Sequence, residues 1–284
     1  MRNEKRAQHL AEDSENWRSM ATRKLIEDPP LGKAGERIIT LAVVCFFAIY
    51  LSMHRATSGW LLAIFLLLTF TALCTRSVQP FHLCLFCTLW LLVPLLMPLL
   101  GTWPLYKVTP LVVYGVIVGI SRHLRESVLW IRPGRLGVDI WLLASIVVVA
   151  SSAALLVWTS VCQPDLTASR DNIPAMPIWL LPLAGVAFAL VNSAVEEAIF
   201  RGIFLQALDS AVGSGIISLV IQAVIFGWLH YSEVGFPKGL AGVAMASVYG
   251  FLLGYLRYRS RGMLAPWLAH AGTDIAVFTI VVRS

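Results

Sequence analysis

Residues 141–161 have the sequence WLLASIVVVASSAALLVWTSV, which contains no charged residue. An uninterrupted apolar run longer than about 18 residues is typical of a helix that crosses a membrane. The rest of the chain is similarly poor in charge, because only 13% of its 284 residues are Asp, Glu, Lys or Arg. An average soluble domain has about 25%. The composition therefore excludes an ordinary soluble protein, a collagen, a disordered chain and a disulfide-rich secreted module.

Nine apolar segments predict an all-α, polytopic integral membrane protein. Three of them, the first, second and fourth, are short for a span of about 20 residues, so the prediction is eight or nine transmembrane helices. The predicted segments are 38–53, 60–74, 81–100, 108–120, 141–161, 178–208, 212–229, 239–256 and 264–282.

Charged residues are concentrated before the first segment, where Met1–Arg37 holds 15 of the 38. This tail has no apolar stretch of the kind that a signal peptide needs. With nine spans, one side of the membrane receives 16 Lys and Arg, and cytoplasmic loops are enriched in these residues. We therefore predict a cytoplasmic N-terminus and a C-terminus on the opposite side. The other side holds only Arg55, Lys107, Arg170, Lys238 and Arg283.

Ionisable residues inside the apolar segments are few, and nearly all lie in the last third of the chain. A charged side chain at the centre of a bilayer costs about 2.5–3.5 kcal/mol on insertion scales, so such residues are functional candidates. Two pairs have the four-residue spacing that brings side chains together on one helix face. We expect the three helices that carry these residues to meet at one hydrated cavity. The candidates are Glu196, Glu197, Arg201, His230, His270 and Asp274.

These residue types suit hydrolysis of a peptide bond. No serine has the G-x-S-x-G context of a hydrolase nucleophile, and no cysteine is near the candidates in sequence. A carboxylate such as Glu196 can instead take a proton from an attacking water, with His230 positioning that water. His270 and Asp274 can donate hydrogen bonds to a developing oxyanion. This chemistry needs no cofactor, and the net charge of +6 forms no basic patch for nucleic acid.

Three motifs in this sequence resemble those of the CPBP family, written EExxxR, FxxxH and HxxxN/D. The family contains type II CAAX prenyl endopeptidases and bacteriocin-processing or immunity relatives, and the resemblance covers about 141–280. It implies an intramembrane glutamate protease without metal or cofactor, in which Glu196 activates water with help from His230. It also implies an oxyanion site at His270 and Asp274, where prenyl-processing members typically carry Asn in place of this Asp. The matching stretches are Glu196–Arg201, Phe226–His230 and His270–Asp274.

The resemblance also implies an organisation and a location. Residues 1–37 are predicted to be a hydrophilic cytoplasmic tail, 38–140 to be accessory transmembrane helices with a basic cytoplasmic loop, and 141–284 to be the catalytic domain. The expected setting is the plasma membrane of a bacterium. The expected partners are the bilayer and a membrane-associated protein or lipidated peptide substrate.

Three alternatives remain open at this point. One is a non-catalytic immunity or adaptor protein of the same family. Another is a zinc protease with Glu196, His230 and His270 as ligands, since carboxylate and imidazole suit zinc. The last is a transporter that uses the buried carboxylates as a proton relay, although the sequence shows no inverted repeat.

Overall fold

A computed structural model describes residues 32–53, 59–102, 104–231 and 236–284. Within these ranges the chain is all-helical, with six long apolar helices that could cross a membrane and three shorter ones, which confirms a polytopic membrane protein. The helices are α1 (Gly32–Ser52), α2 (Gly59–Cys74), α3 (Val78–Leu96), α4 (Leu105–Ile120), α5 (Val138–Cys162), α6 (Ile178–Val212), α7 (Ile216–Tyr231), α8 (Gly239–Ser260) and α9 (Leu264–Arg283).

The helix boundaries differ from the predicted segments in two places that matter. Helix α1 begins at Gly32, so residues 32–37 are helical and the predicted tail is shorter than expected. Its remaining residues, 1–31, and Arg55 lie outside the described ranges. Helix α4 begins at Leu105, three residues before the predicted start, which places Lys107 inside the helix.

The helices pack around two apolar cores. The larger core is built from α1 to α4 with parts of α6 and α7, and the smaller one from α5, α8 and α9. Helix α9 packs against both α5 and α6, and α7 packs against α8. Many large apolar side chains on the outside of the bundle are exposed, as expected of helices that satisfy their backbone hydrogen bonds internally and face lipid.

Helices α7 and α8 approach each other closely at Gly227. A Cβ atom added there would lie 2.5 Å from the carbonyl oxygen of Val243, so only glycine fits without a shift of the backbone. This contact holds the last turn of α7, which carries His230, against α8.

The basic connection between α4 and α5 is fastened to the ends of neighbouring helices. The amide of Arg135 donates to the carbonyl of Ser260 at 2.8 Å, and the amide of Met263 donates to Arg132 at the same distance. Gly134 lies in the left-handed region, with φ of 80°. A Cβ atom added there would lie 2.8 Å from the Cα atom of Gly262, so a side chain does not fit. The start of α5 and the end of α8 therefore lie at the same end of the bundle.

Candidate active site

One cavity of about 1060 Å³ brings the candidate residues together. Glu196, His230, His270 and Asp274 all line it, so α6, α7 and α9 meet there as the sequence predicts. The other two candidates, Glu197 and Arg201, are buried behind the cavity wall, with 1% and 0% of their surface exposed. The six residues thus divide into four that can touch a ligand and two that support them.

Glu197 links the motif on α6 to the motif on α9. Its Oε1 atom lies 2.9 Å from Nη1 of Arg201 and 2.8 Å from Nδ1 of His270. The same oxygen accepts a hydrogen bond from His270 Nδ1. The imidazole ring is therefore fixed with its other nitrogen, Nε2, towards the cavity.

Phe226 is the apolar centre of the supporting residues. The Arg201 guanidinium lies 4.4 Å from the centre of the Phe226 ring, a distance that suits a cation–π contact. The same ring packs edge-on against His230 at 5.2 Å and against His270 at 6.0 Å. The aromatic residue of the F-x-x-x-H motif thus keeps both imidazoles and the buried arginine in place.

A π-helical segment, Ala198–Phe204, interrupts α6 directly after the two glutamates. Such wide turns are rare in helices and are frequent at functional sites. Here the segment contains Arg201, whose Nη2 atom donates to the carbonyl oxygen of Gly250 in α8 at 3.3 Å. The local change of helix geometry therefore coincides with the connection between α6 and α8.

His230 lies one residue before the end of α7 and is half-buried. Its Nδ1 atom is 3.1 Å from the carbonyl oxygen of Phe226. Since a carbonyl oxygen only accepts, this hydrogen bond requires the proton on Nδ1. In the neutral ring, Nε2 is then free to accept a hydrogen bond from a water molecule.

Lys107 is the main residue that the sequence analysis missed. It was counted with the loops, but it is buried in α4, and its Nζ atom lies 2.5 Å from Oε1 of Glu196. The predicted segment began one residue later, at Val108, which removed Lys107 from the residues inside the membrane. The expectation that the first half of the chain adds almost no ionisable residue to the membrane interior is therefore wrong.

Asn192 was also missed, although it lies one helical turn before Glu196 and so on the same face of α6. Its side-chain oxygen accepts a hydrogen bond from Lys107 at 3.2 Å, and its Nδ2 atom donates to Asp274 at 2.9 Å. The Oδ2 atom of Asp274 is thus an acceptor, and the donor role predicted for this residue stays a prediction.

The polar groups form a closed ring around one corner of the cavity. His270 Nε2 completes it, at 3.6 Å from Oε2 of Glu196 and 3.6 Å from Oδ1 of Asp274. A carboxylate, an ammonium, an imidazole and an amide within one partly enclosed space can orient water and stabilise a negatively charged oxygen. In ring order the members are Glu196, Lys107, Asn192, Asp274 and His270.

Residues 177–276 match the family model described as type II CAAX prenyl endopeptidase Rce1-like. This range contains all six residues predicted from the sequence and also Asn192, whereas Lys107 lies outside it. The match is shorter than the stretch of about 141–280 that the motifs suggested, and it does not include α5. No curated protein and no solved structure matches the chain.

Proposed function

We propose that the Rce1-like type II CAAX prenyl endopeptidase domain of this chain, residues 177–276, is an intramembrane peptidase in which Glu196 activates water. The observation that carries the proposal is the cavity itself. It places the carboxylate of Glu196 and the imidazoles of His230 and His270 around one space that is partly open to solvent. None of these groups needs a bound cofactor to hydrolyse an amide.

In the proposed reaction, a water molecule between Glu196 and His230 attacks the carbonyl carbon of the scissile bond. Glu196 takes one proton of the water while the new carbon–oxygen bond forms, and His230 Nε2 accepts a hydrogen bond from the other. The tetrahedral intermediate then collapses, the carbon–nitrogen bond breaks, and Glu196 returns the proton to the leaving nitrogen. The products are a carboxylate end and a free amine.

His270 is proposed to stabilise the oxyanion from Nε2. Its Nδ1 proton is already donated to Glu197 at 2.8 Å, so Nε2 donates only when the ring carries both protons. The ring lies near three carboxylates, two at 3.6 Å from Nε2, and the proposed reacting form of the ring carries both protons. A charged donor binds an oxyanion more strongly than a neutral one does.

Lys107 is proposed to be a positioning residue. Its ammonium lies 2.5 Å from Oε1 of Glu196, and this contact fixes the rotamer of the carboxylate. The second oxygen, Oε2, remains available to the cavity. The helix that supplies this ammonium lies outside the matched domain, so α4 is part of the proposed active unit.

The walls of the cavity support a membrane-anchored substrate. The lining is largely apolar, with Phe188, Leu252 and Val277 beside small side chains such as Ala150 and Ala244. An apolar lining of this kind suits a segment of a membrane protein. We therefore propose a membrane-associated protein as the substrate, in a plasma membrane that the chain crosses with its N-terminus in the cytoplasm.

A zinc-dependent reaction has less support. Among the residues that the structure describes, no group of three His, Cys, Asp or Glu side chains is arranged to hold a metal ion. The Lys107 ammonium also lies 2.5 Å from Oε1 of Glu196, and it would repel a second cation bound by the same carboxylate.

The direct test replaces Glu196 with Gln, which keeps the size of the side chain and removes its basicity. Mass spectrometry of protein termini would compare the membranes of cells that produce the wild-type chain with those that produce Glu196→Gln. We expect a set of new termini that depends on Glu196 and falls by about 10²- to 10⁴-fold in the variant, the range for loss of a general base. Glu126→Gln, in the exposed helix Arg122–Ser127, is the matched control and should leave the termini unchanged.

Identical termini with wild-type and Glu196→Gln chains, at equal protein levels, would contradict the proposal. A cellular phenotype that survives Glu196→Gln would then favour the non-catalytic adaptor.

A further inference from the structure

The cavity reaches solvent at one end of the helix bundle. Residues of the connection between α5 and α6 line it there, and two of them, Asp171 and Asn172, are exposed. Pro104, just before α4, and Phe236 with Pro237, just before α8, line the same end. Among the described residues, the connections at the opposite end contribute nothing to the lining.

Two of the polar residues that line the cavity lie near helix ends on that side of the bundle. Lys107 is the third residue of α4, and His230 precedes the last residue of α7. At 1.5 Å per residue, both lie within about 5 Å of the ends of their helices. Below them the bundle is closed by Phe200, Phe204 and Phe226, whose rings pack against one another and are at most 1% exposed. Water therefore reaches Glu196 from one side.

The two ends of the bundle differ sharply in basic residues. Among the described residues, three Lys and Arg besides the buried Lys107 lie at the open end, namely Arg170, Lys238 and Arg283. Ten lie at the closed end, where backbone hydrogen bonds and a hydrogen bond from the Arg37 side chain join neighbouring helix ends. Loops rich in Lys and Arg stay in the cytoplasm. These ten are Lys33, Arg37, Arg76, Arg122, Arg125, Arg132, Arg135, Arg257, Arg259 and Arg261.

We infer that the cavity opens on the extracytoplasmic face of the membrane. The substrate class that follows from this inference rests on the proposed function. The substrate is a membrane-anchored protein whose scissile segment lies just outside the extracytoplasmic surface. A C-terminus that is lipidated in the cytoplasm and stays there does not reach the cavity.

Thiol labelling of the full chain in intact cells tests the direction of the opening. Three of the five native cysteines, Cys45, Cys74 and Cys162, are exposed and would be replaced with alanine, while the buried Cys84 and Cys87 can stay. Single cysteines would then be introduced at the open end, as Asp165→Cys or Asp171→Cys. The matched positions at the closed end are His123→Cys and Glu126→Cys. All four native residues are exposed.

A membrane-impermeant maleimide should label the two open-end cysteines in intact cells and the two closed-end cysteines only after lysis. The reverse pattern, or equal labelling of both ends from outside, would overturn the inference. Each variant would also be labelled in a Glu196→Gln background, because this substitution should not change the orientation. Reversed labelling with Glu196-dependent cleavage contradicts only the inference, whereas the expected labelling without Glu196-dependent cleavage contradicts only the proposed function.

Discussion

The α1–α4 half and the α5–α9 half of this molecule use buried polar groups in different ways. In the first half, His82 is buried in α3 and makes two short hydrogen bonds, both 2.7 Å, to Tyr114 and Ser127. His82 is not among the residues that line the cavity of the candidate site, and both of its ring nitrogens have hydrogen-bond partners. In the second half, the ring nitrogens of His230 and His270 that face the cavity have no hydrogen bond within the described residues.

The two halves are nevertheless joined at the site by Lys107. Most of the first half is an apolar and aromatic support, with Phe47, Phe65 and Phe86 fully buried. The Lys107 ammonium, however, lies 2.5 Å from Glu196, the proposed base in the second half. The comparison therefore indicates that the motifs of the second half form a complete ring of polar groups only with a residue of the first half.

The sharpest contrast between the halves is the pair of histidines. We expect His230→Ala to slow Glu196-dependent cleavage by about 10²- to 10⁴-fold with little change in stability, because it removes a group that contacts the water. We expect His82→Ala to leave the cleavage rate per folded molecule unchanged and to lower the free energy of unfolding by about 1–3 kcal/mol, since it leaves the buried hydroxyl of Tyr114 unpaired.

Both variants would be followed by the rate at which the Glu196-dependent terminus appears and by unfolding in detergent with added dodecyl sulfate. A large loss of cleavage in folded His82→Ala protein would show that the distinction between the halves is wrong.

The buried ion pair behind the site gives the next largest expected effect. Arg201→Met leaves the Glu197 carboxylate buried without its guanidinium, which should lower the free energy of unfolding by about 3–5 kcal/mol. Arg122→Met removes an exposed ion pair with Glu126, of the same four-residue spacing, and should cause no measurable change. Equal stability of the two variants in the same unfolding assay would contradict the supporting role of Arg201.

Lys107 tests whether the first half takes part in the reaction. We expect Lys107→Met to lower kcat by about 10- to 100-fold while KM changes little, because a misplaced base lowers the rate more than it lowers substrate binding. Lys107→Arg keeps a positive charge near Glu196 and should restore part of the rate. A methionine variant that cleaves at the wild-type rate, or an arginine variant as slow as methionine, would exclude a positioning role.

The smallest expected effect is at Asp274. Its Oδ2 atom accepts a hydrogen bond from Asn192, and the amide of Asp274→Asn keeps an oxygen that can accept in the same place. We therefore expect the rate to change by less than about tenfold, since one hydrogen bond contributes about 1 kcal/mol. The matched variant Asp274→Leu, which removes the acceptor, should be slower than Asp274→Asn, and equal rates would contradict this account.

Much of the fold and part of the site could be predicted because both follow from the cost of polar groups in lipid. The apolar segments locate nine helices, and the residues left inside them identify Glu196, His230 and His270 as neighbours of one cavity. Lys107 was not predicted as a site residue because it lies near the start of a helix, where the boundary of an apolar segment is uncertain by a few residues. Asn192 was not predicted because burying an uncharged amide costs less free energy than burying a charged group, so an asparagine within an apolar segment is not by itself a functional candidate.

The sequence by itself determined that this is an all-helical membrane protein and that six candidate polar residues lie in the last third of the chain. The sequence is sufficient for this because the helical period and the free-energy cost of burying a charge depend only on residues that are close together in the chain. Only the tertiary structure decided that Glu196 is paired with Lys107, that Glu197 and Arg201 lie behind the cavity and that the cavity opens at one end. These facts depend on how helices far apart in sequence pack, and no spacing within a single helix contains that information.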